Sequence, residues 1–161
     1  MEPAGSGLRR VNRAWGERDP SPLLGPPAGQ LAGQVRRLLA AVRPVDLPVQ
    51  LIHADLAGNV LFADGMAPAV IDFSPLERPA GLPLAIAVVD ALQWRGAAPE
   101  ILGDFAGEPA FGQLLARALI YRHVTEIVMR ASTPGIDAAA RAGRPVTDLV
   151  LAGLARVRRA R

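Results

Sequence analysis

The stretch whose reading decides the fold is VQLIHADLAGNVLFADGMAPAVIDFSP, residues 49–75. It holds three short apolar runs, Val49–His53, Asn59–Phe62 and Ala69–Phe73. Ala63-Asp64-Gly65 between the last two is a tight-turn signal, which predicts that they pair as an antiparallel hairpin. Pro68 stands at the entry of its strand, where a missing N–H is tolerated. His53, Asp55, Asn59 and Asp72 fall where apolar runs end. Strands that bring two carboxylates, an amide and an imidazole to one edge predict a site.

Outward from that segment the chain reads as helical. Leu31, Val35, Leu38, Leu39 and Val42 form one amphipathic stripe in Ala28–Arg43, which Pro44 stops. Residues 1–27 are rich in Pro and Gly and predict an irregular arm, on which Val11–Trp15 is a candidate docking segment. After Pro75 the pattern predicts helix for the remainder. Leu82–Trp94 is apolar except for Asp90 and Gln93, so it should be buried; Glu100–Phe105 is a short piece. Ala110–Ala131 is apolar on two faces, Thr133-Pro134-Gly135 breaks it, and Pro145–Arg158 is the last helix, with Leu149, Val150, Leu154 and Val157 inward. The fold class expected is α+β and mostly helical, with a small β-hairpin insertion carrying the site.

Composition narrows the chemistry. The chain has 161 residues, enough for a real core, and no cysteine, so disulfides and thiolate metal sites are excluded. Two histidines, His53 and His123, argue against a histidine-rich zinc site. All positive side chains are arginine, which excludes Schiff-base and phosphate-binding lysine chemistry in this chain. The net charge of +3 permits a nucleic-acid-binding reading, but the arginines are scattered without interleaved aromatics, so that partner ranks last. The basic C-terminal RVRRAR reads as a solvated helix end, where cations suit the dipole. No apolar run reaches the roughly 20 residues that cross a bilayer, and the first residues lack a signal-peptide core, so no membrane partner and a cytoplasmic location are expected.

An aspartate after a strand, an asparagine a few residues on and a second aspartate after a hairpin suit phosphoryl transfer. One carboxylate orients an acceptor hydroxyl and takes its proton, while the amide oxygen and the other carboxylate offer the hard ligands that Mg²⁺ prefers. HADLAGN followed by VIDF resembles the catalytic loop and metal-binding segment of the protein-kinase-like superfamily, in its aminoglycoside and choline phosphotransferase branch. The segment also resembles an uncharacterised actinobacterial branch of that group, in which it likewise runs on into Ser-Pro and Arg-Pro. The resemblance implies that Asp55 is the catalytic aspartate, that Asn59 and Asp72 are metal ligands, and that His53 braces the loop. It implies Mg²⁺ and ATP or GTP as cofactors, a small-molecule hydroxyl acceptor, and Asp90 as a prop for the loop. It makes residues 28–161 a C-terminal lobe, with the catalytic and metal segment at 49–75 and a helical remainder at 81–160.

Two departures stand out. Three residues, Leu56, Ala57 and Gly58, separate Asp55 from Asn59 where the superfamily has four. Only 48 residues precede the central stretch, without lysine, so the N-terminal lobe is expected to be missing. That motivates a rival reading: a catalytically inactive remnant serving as an interaction module, with self-association through an exposed lobe face. Singly, each residue has a plainer reading: either member of His-x-Asp caps a turn, Asp72 ends a strand, and His123 is a core or helix-surface residue. Trp94-Arg95 and Arg78 flank the site as packing and solvated arginine or as contacts to substrate or phosphate. Glu100, Asp104 and Glu108 read as an exposed face.

Overall fold

The computed structural model describes residues 20–159. Strands β1 (Val49–His53), β2 (Val60–Leu61), β3 (Ala69–Val70) and β4 (Pro75–Pro79) are followed or preceded by helices α1 (Gly29–Ala41), α2 (Leu82–Trp94), α3 (Ile101–Asp104), α4 (Phe111–Arg130) and α5 (Gly135–Arg159). The chain divides into two compact units, one running to Val42 and resuming at Leu119, the other spanning Arg43–Ala118. Among the described residues no helix is long and apolar enough to cross a membrane.

The unit from Arg43 to Ala118 holds the candidate residues. β1 pairs antiparallel with β4, from Val49↔Pro79 at one end to His53↔Pro75 at the other. β2 and β3 form the expected hairpin, trimmed to Val60↔Val70 and Leu61↔Ala69. The strand Pro75–Pro79 corrects the expectation that helix begins after Pro75. Its sequence, PLERP, puts one apolar residue inward, buried Leu76, and is too short for an alternation to register. The prolines at both ends hold the backbone in extended φ/ψ. α2 has the expected bounds and packs on β1, burying Leu82, Ala85, Ile86, Val88, Val89 and Asp90. The chain entering β1 is tied to α4 by the Arg43 N–H, which donates to Gln113 Oε1 at 2.7 Å. Arg117 Nη2 in turn donates to the Arg43 carbonyl at 2.6 Å.

The other unit packs α1 against α5 and contains α4 from Leu119 onward. Residues 20–27, expected to be irregular, form 3₁₀ turns at Ser21–Leu23 and, with Ala28, at Pro26–Ala28, and Leu24 is buried. Val11–Trp15 lies outside the described residues. The last helix starts at Gly135 and runs through Pro145. Its buried stripe of Ile136, Ala140, Gly143, Val146, Thr147 and Val150 continues across the proline. Packing on α1 therefore outweighs the backbone bond that proline removes. Val157, expected inward, is 55% exposed because the stripe ends at Val150.

His123 settles as a core residue. Its Nε2 lies 2.9 Å from Thr147 Oγ1, which also contacts Gln34 Oε1 at 3.1 Å and the Gly143 carbonyl at 3.0 Å. Thr147 has one proton for two carbonyl acceptors, so the network is best filled when His123 donates from Nε2. Burial lowers the His123 pKa to about 4. Unfolded, the imidazole takes its proton near 6.5. Between those values the unfolded chain binds more protons, so stability present above pH 6.5 is lost as pH falls toward 4. We expect urea unfolding between pH 7 and 4.5 to show about 2–3 kcal/mol more acid destabilisation in the wild type than in His123→Gln. Equal slopes would remove His123 from the account.

Candidate functional site

β1 ends by delivering His53, and Asp55 follows it by two residues. The His53 ring uses both nitrogens. Nδ1 accepts from the Asp55 N–H at 3.0 Å, and Nε2 lies 3.2 Å from the Ile71 carbonyl. A backbone amide only donates and a carbonyl only accepts, so the ring is neutral with its proton on Nε2. Phe73 meets the ring edge-on, with centroids 5.4 Å apart and planes at 72°. One buried imidazole thus joins the loop after β1 to the segment that contains Asp72.

The short loop closes as a turn. The Asn59 N–H donates to the Leu56 carbonyl at 3.0 Å, with Gly58 third in the turn at φ 95°. That is the type II arrangement, whose third position needs a positive φ and so favours glycine. The Asn59 side chain then turns back, donating through Nδ2 to the Asp55 carbonyl at 2.8 Å. Gly58 thus lets the three-residue spacing close, and Asn59 stays beside Asp55.

Asp72 sits in the left-handed region at φ 47°, one of three non-glycine residues with positive φ among those described. Aspartate visits this region more readily than most residues, yet it costs energy and needs support from its neighbours. Ile71, just before it, donates its N–H to the Asn59 carbonyl at 2.9 Å, and the Ser74 carbonyl accepts from Ala54 N–H at 2.9 Å. The left-handed residue also ends β3 early, which is why the expected strand to Phe73 stops at Val70.

The structure therefore brings His53, Asp55 and Asn59 into one bonded loop and places Asp72 directly after the residue that His53 bonds. Asp90 is buried on α2, whereas Glu100, Asp104 and Glu108 are exposed. Among the described residues no three His, Asp or Glu side chains gather as a metal group. The residues expected to hold a metal are an amide and a carboxylate, Asn59 and Asp72. These are hard oxygen donors, and Mg²⁺, which retains several waters, fits such a sparse set. A small apolar cavity of about 190 Å³, lined by Leu47, Ala80, Leu84 and Phe111 among others, lies at the Val49↔Pro79 end of the ladder, away from this site.

Residues 3–78 match the model of the phosphotransferase enzyme family, APH. The matched span is a little under half of the chain and includes His53, Asp55, Asn59, Asp72, all of β1 and β4 up to Arg78. It supports an aminoglycoside phosphotransferase-like family for this segment. No curated protein and no solved structure matches the chain.

Sequence reading missed β4 as the partner of β1, and with it the placement of Ile71 against His53. The paired prolines of PLERP were the available signal. Gly58→Ala places a side chain at φ 95°, so it should cost about 1 kcal/mol or more and speed hydrogen exchange at the Asn59 amide. Gly33→Ala, in α1 with open space around it, should be neutral or stabilise by up to ~1 kcal/mol. Urea unfolding of the two variants checks the contrast.

Proposed function

We propose that this chain provides the phosphoryl-transfer part of an ATP-dependent phosphotransferase acting on a small-molecule hydroxyl. The observation that carries the reading is the bonded loop His53–Asn59 with Asp72 fixed behind it. The family match over the same residues supports it.

Asp55 orients the acceptor hydroxyl and takes its proton as the oxygen attacks the γ-phosphorus. The bond from that phosphorus to the bridging oxygen breaks, and the nucleoside diphosphate leaves. His53 acts as a positioning residue: by accepting the Asp55 N–H it sets where the aspartate stands. Asn59, anchored through Nδ2, has its Oδ1 as the acceptor group, and Asp72 adds a carboxylate. These two would hold Mg²⁺, which supplies charge neutralisation on the phosphates when bound.

A second reading, a non-catalytic interaction module, is favoured by one observation. Leu51, Leu61, Phe62, Met66, Val70 and Phe73 are each more than half exposed. On that reading the chain binds no Mg·ATP and self-associates, which calorimetry and sedimentation velocity over a wide concentration range would reveal.

The enzymatic reading is tested by ADP release from Mg·ATP with a panel of hydroxyl acceptors, including aminoglycosides and choline. Asp55→Asn should lower turnover about 10²–10⁴-fold while leaving Mg·ATP binding nearly intact. Asp72→Asn keeps a residue that tolerates the left-handed backbone but removes the charge, so it should weaken Mg·ATP binding itself. Wild-type turnover in Asp55→Asn would overturn the assignment.

A further inference from the structure

Between Arg43 and Arg78 the sequence contains no basic side chain other than histidine, and it contains Asp46, Asp55, Asp64, Asp72 and Glu77. His53 is neutral in its bonded form. A segment read as handling a polyphosphate thus has negative side chains and no positive charge of its own. A phosphoryl group in transfer spreads negative charge over its oxygens, and positioned cations or donors must meet it.

Among the described residues, the fold brings Arg95 onto this segment. The guanidinium of Arg95 lies against the turn after Asp55, its Nη2 3.7 Å from where a Cβ on Gly58 would stand. Gly58 is next to Asn59, whose amide is bonded to the Asp55 carbonyl, so the cation sits at the loop that carries both candidate residues. Its place is fixed by the end of α2. The Arg95 N–H donates to the Ala91 carbonyl at 3.1 Å and the Ala97 N–H to the same carbonyl at 3.1 Å, with Gly96 left-handed at φ 70°. The helix thus stops at a left-handed glycine, which sets where the residue before it leaves the helix. Arg95 is exposed, and its planar donors match phosphate oxygens in pairs.

We propose that Arg95 binds phosphoryl oxygens of the nucleotide across the bare backbone of Gly58, supplying the positive charge that the site segment lacks. A cation at a helix C-terminus also suits the helix dipole, but that role would leave anion binding unchanged. The proposal rests on the phosphotransferase reading, and the experiment separates the two.

The full chain is titrated with Mn²⁺ alone, followed by water proton relaxation, and with Mg²⁺-tripolyphosphate, followed by calorimetry. Arg95→Gln should weaken tripolyphosphate binding at least tenfold with Mn²⁺ affinity unchanged, and Arg95→Lys should recover part of the loss. Circular dichroism of each variant verifies that it is folded. Tripolyphosphate binding by Arg95→Gln within twofold of the wild type, or none by the wild type, overturns the proposal. If Asp72→Asn leaves Mn²⁺ affinity intact while Arg95→Gln loses the anion, the metal assignment fails and the arginine site stands. If Asp72→Asn loses Mn²⁺ and Arg95→Gln changes nothing, the reverse holds.

Discussion

One imidazole holds the site together. His53 accepts from the Asp55 N–H and donates to the Ile71 carbonyl, 18 residues along the chain. Both partners are backbone groups, so the ring fixes main chain rather than side-chain rotamers. The two aspartates belong to different local structures, a post-strand loop and a hairpin exit. The histidine relates one to the other, together with the backbone bonds Ile71–Asn59 and Ala54–Ser74, and its burial beneath Phe73 protects its own bonds from competing water.

Much of this was legible in the sequence, and the reason is periodicity. β1 and α2 were readable to the residue because each is an apolar run with clear ends: Pro48 before Val49, and Pro83 opening with Gly96 closing the helix. The hairpin was readable from Ala63-Asp64-Gly65. Its length was not, because the left-handed turn at Asp72 that cuts β3 short leaves no trace in hydrophobic pattern. β4 hid because a strand of five residues with two prolines and two charges has no alternation to detect. α5 was misread at its start because Pro145 is a strong local stop signal, and the stripe that overrides it becomes visible only once α1 supplies a surface to cover. The candidate residues themselves were readable from type and spacing. Their bonds were not, since they depend on which strand β1 chooses.

The polar cores of the two units make opposite use of histidine. His123 faces a hydroxyl and is desolvated to the point that its pKa falls to about 4, so it serves packing over most of the pH range. His53 sits at the end of a strand where two backbone groups of fixed polarity meet it. The same side chain thus satisfies a helix interface in one unit and couples two loops in the other. Partner chemistry, more than burial, separates the two roles, for both rings are buried.

The site segment has little stability of its own. It is built on two two-stranded sheets, and sheets of that size are marginal in water without further packing. The β2–β3 hairpin has only two paired positions, and Phe62 and Met66 beside it are 78% and 72% exposed, so burial contributes little there. What holds Asp72 in a costly backbone conformation must then come from its flanks. Ile71 is bonded at both its N–H and its carbonyl, to Asn59 and His53, and Ser74 is bonded to Ala54. The chain is pinned on either side of Asp72 by bonds to the very loop that carries Asp55 and Asn59. Strain at the second aspartate is therefore supported by the first loop, and a change that loosens that loop releases Asp72 as well. This coupling runs through backbone bonds, so it survives substitution of either carboxylate and fails when His53 or the Gly58 turn is altered.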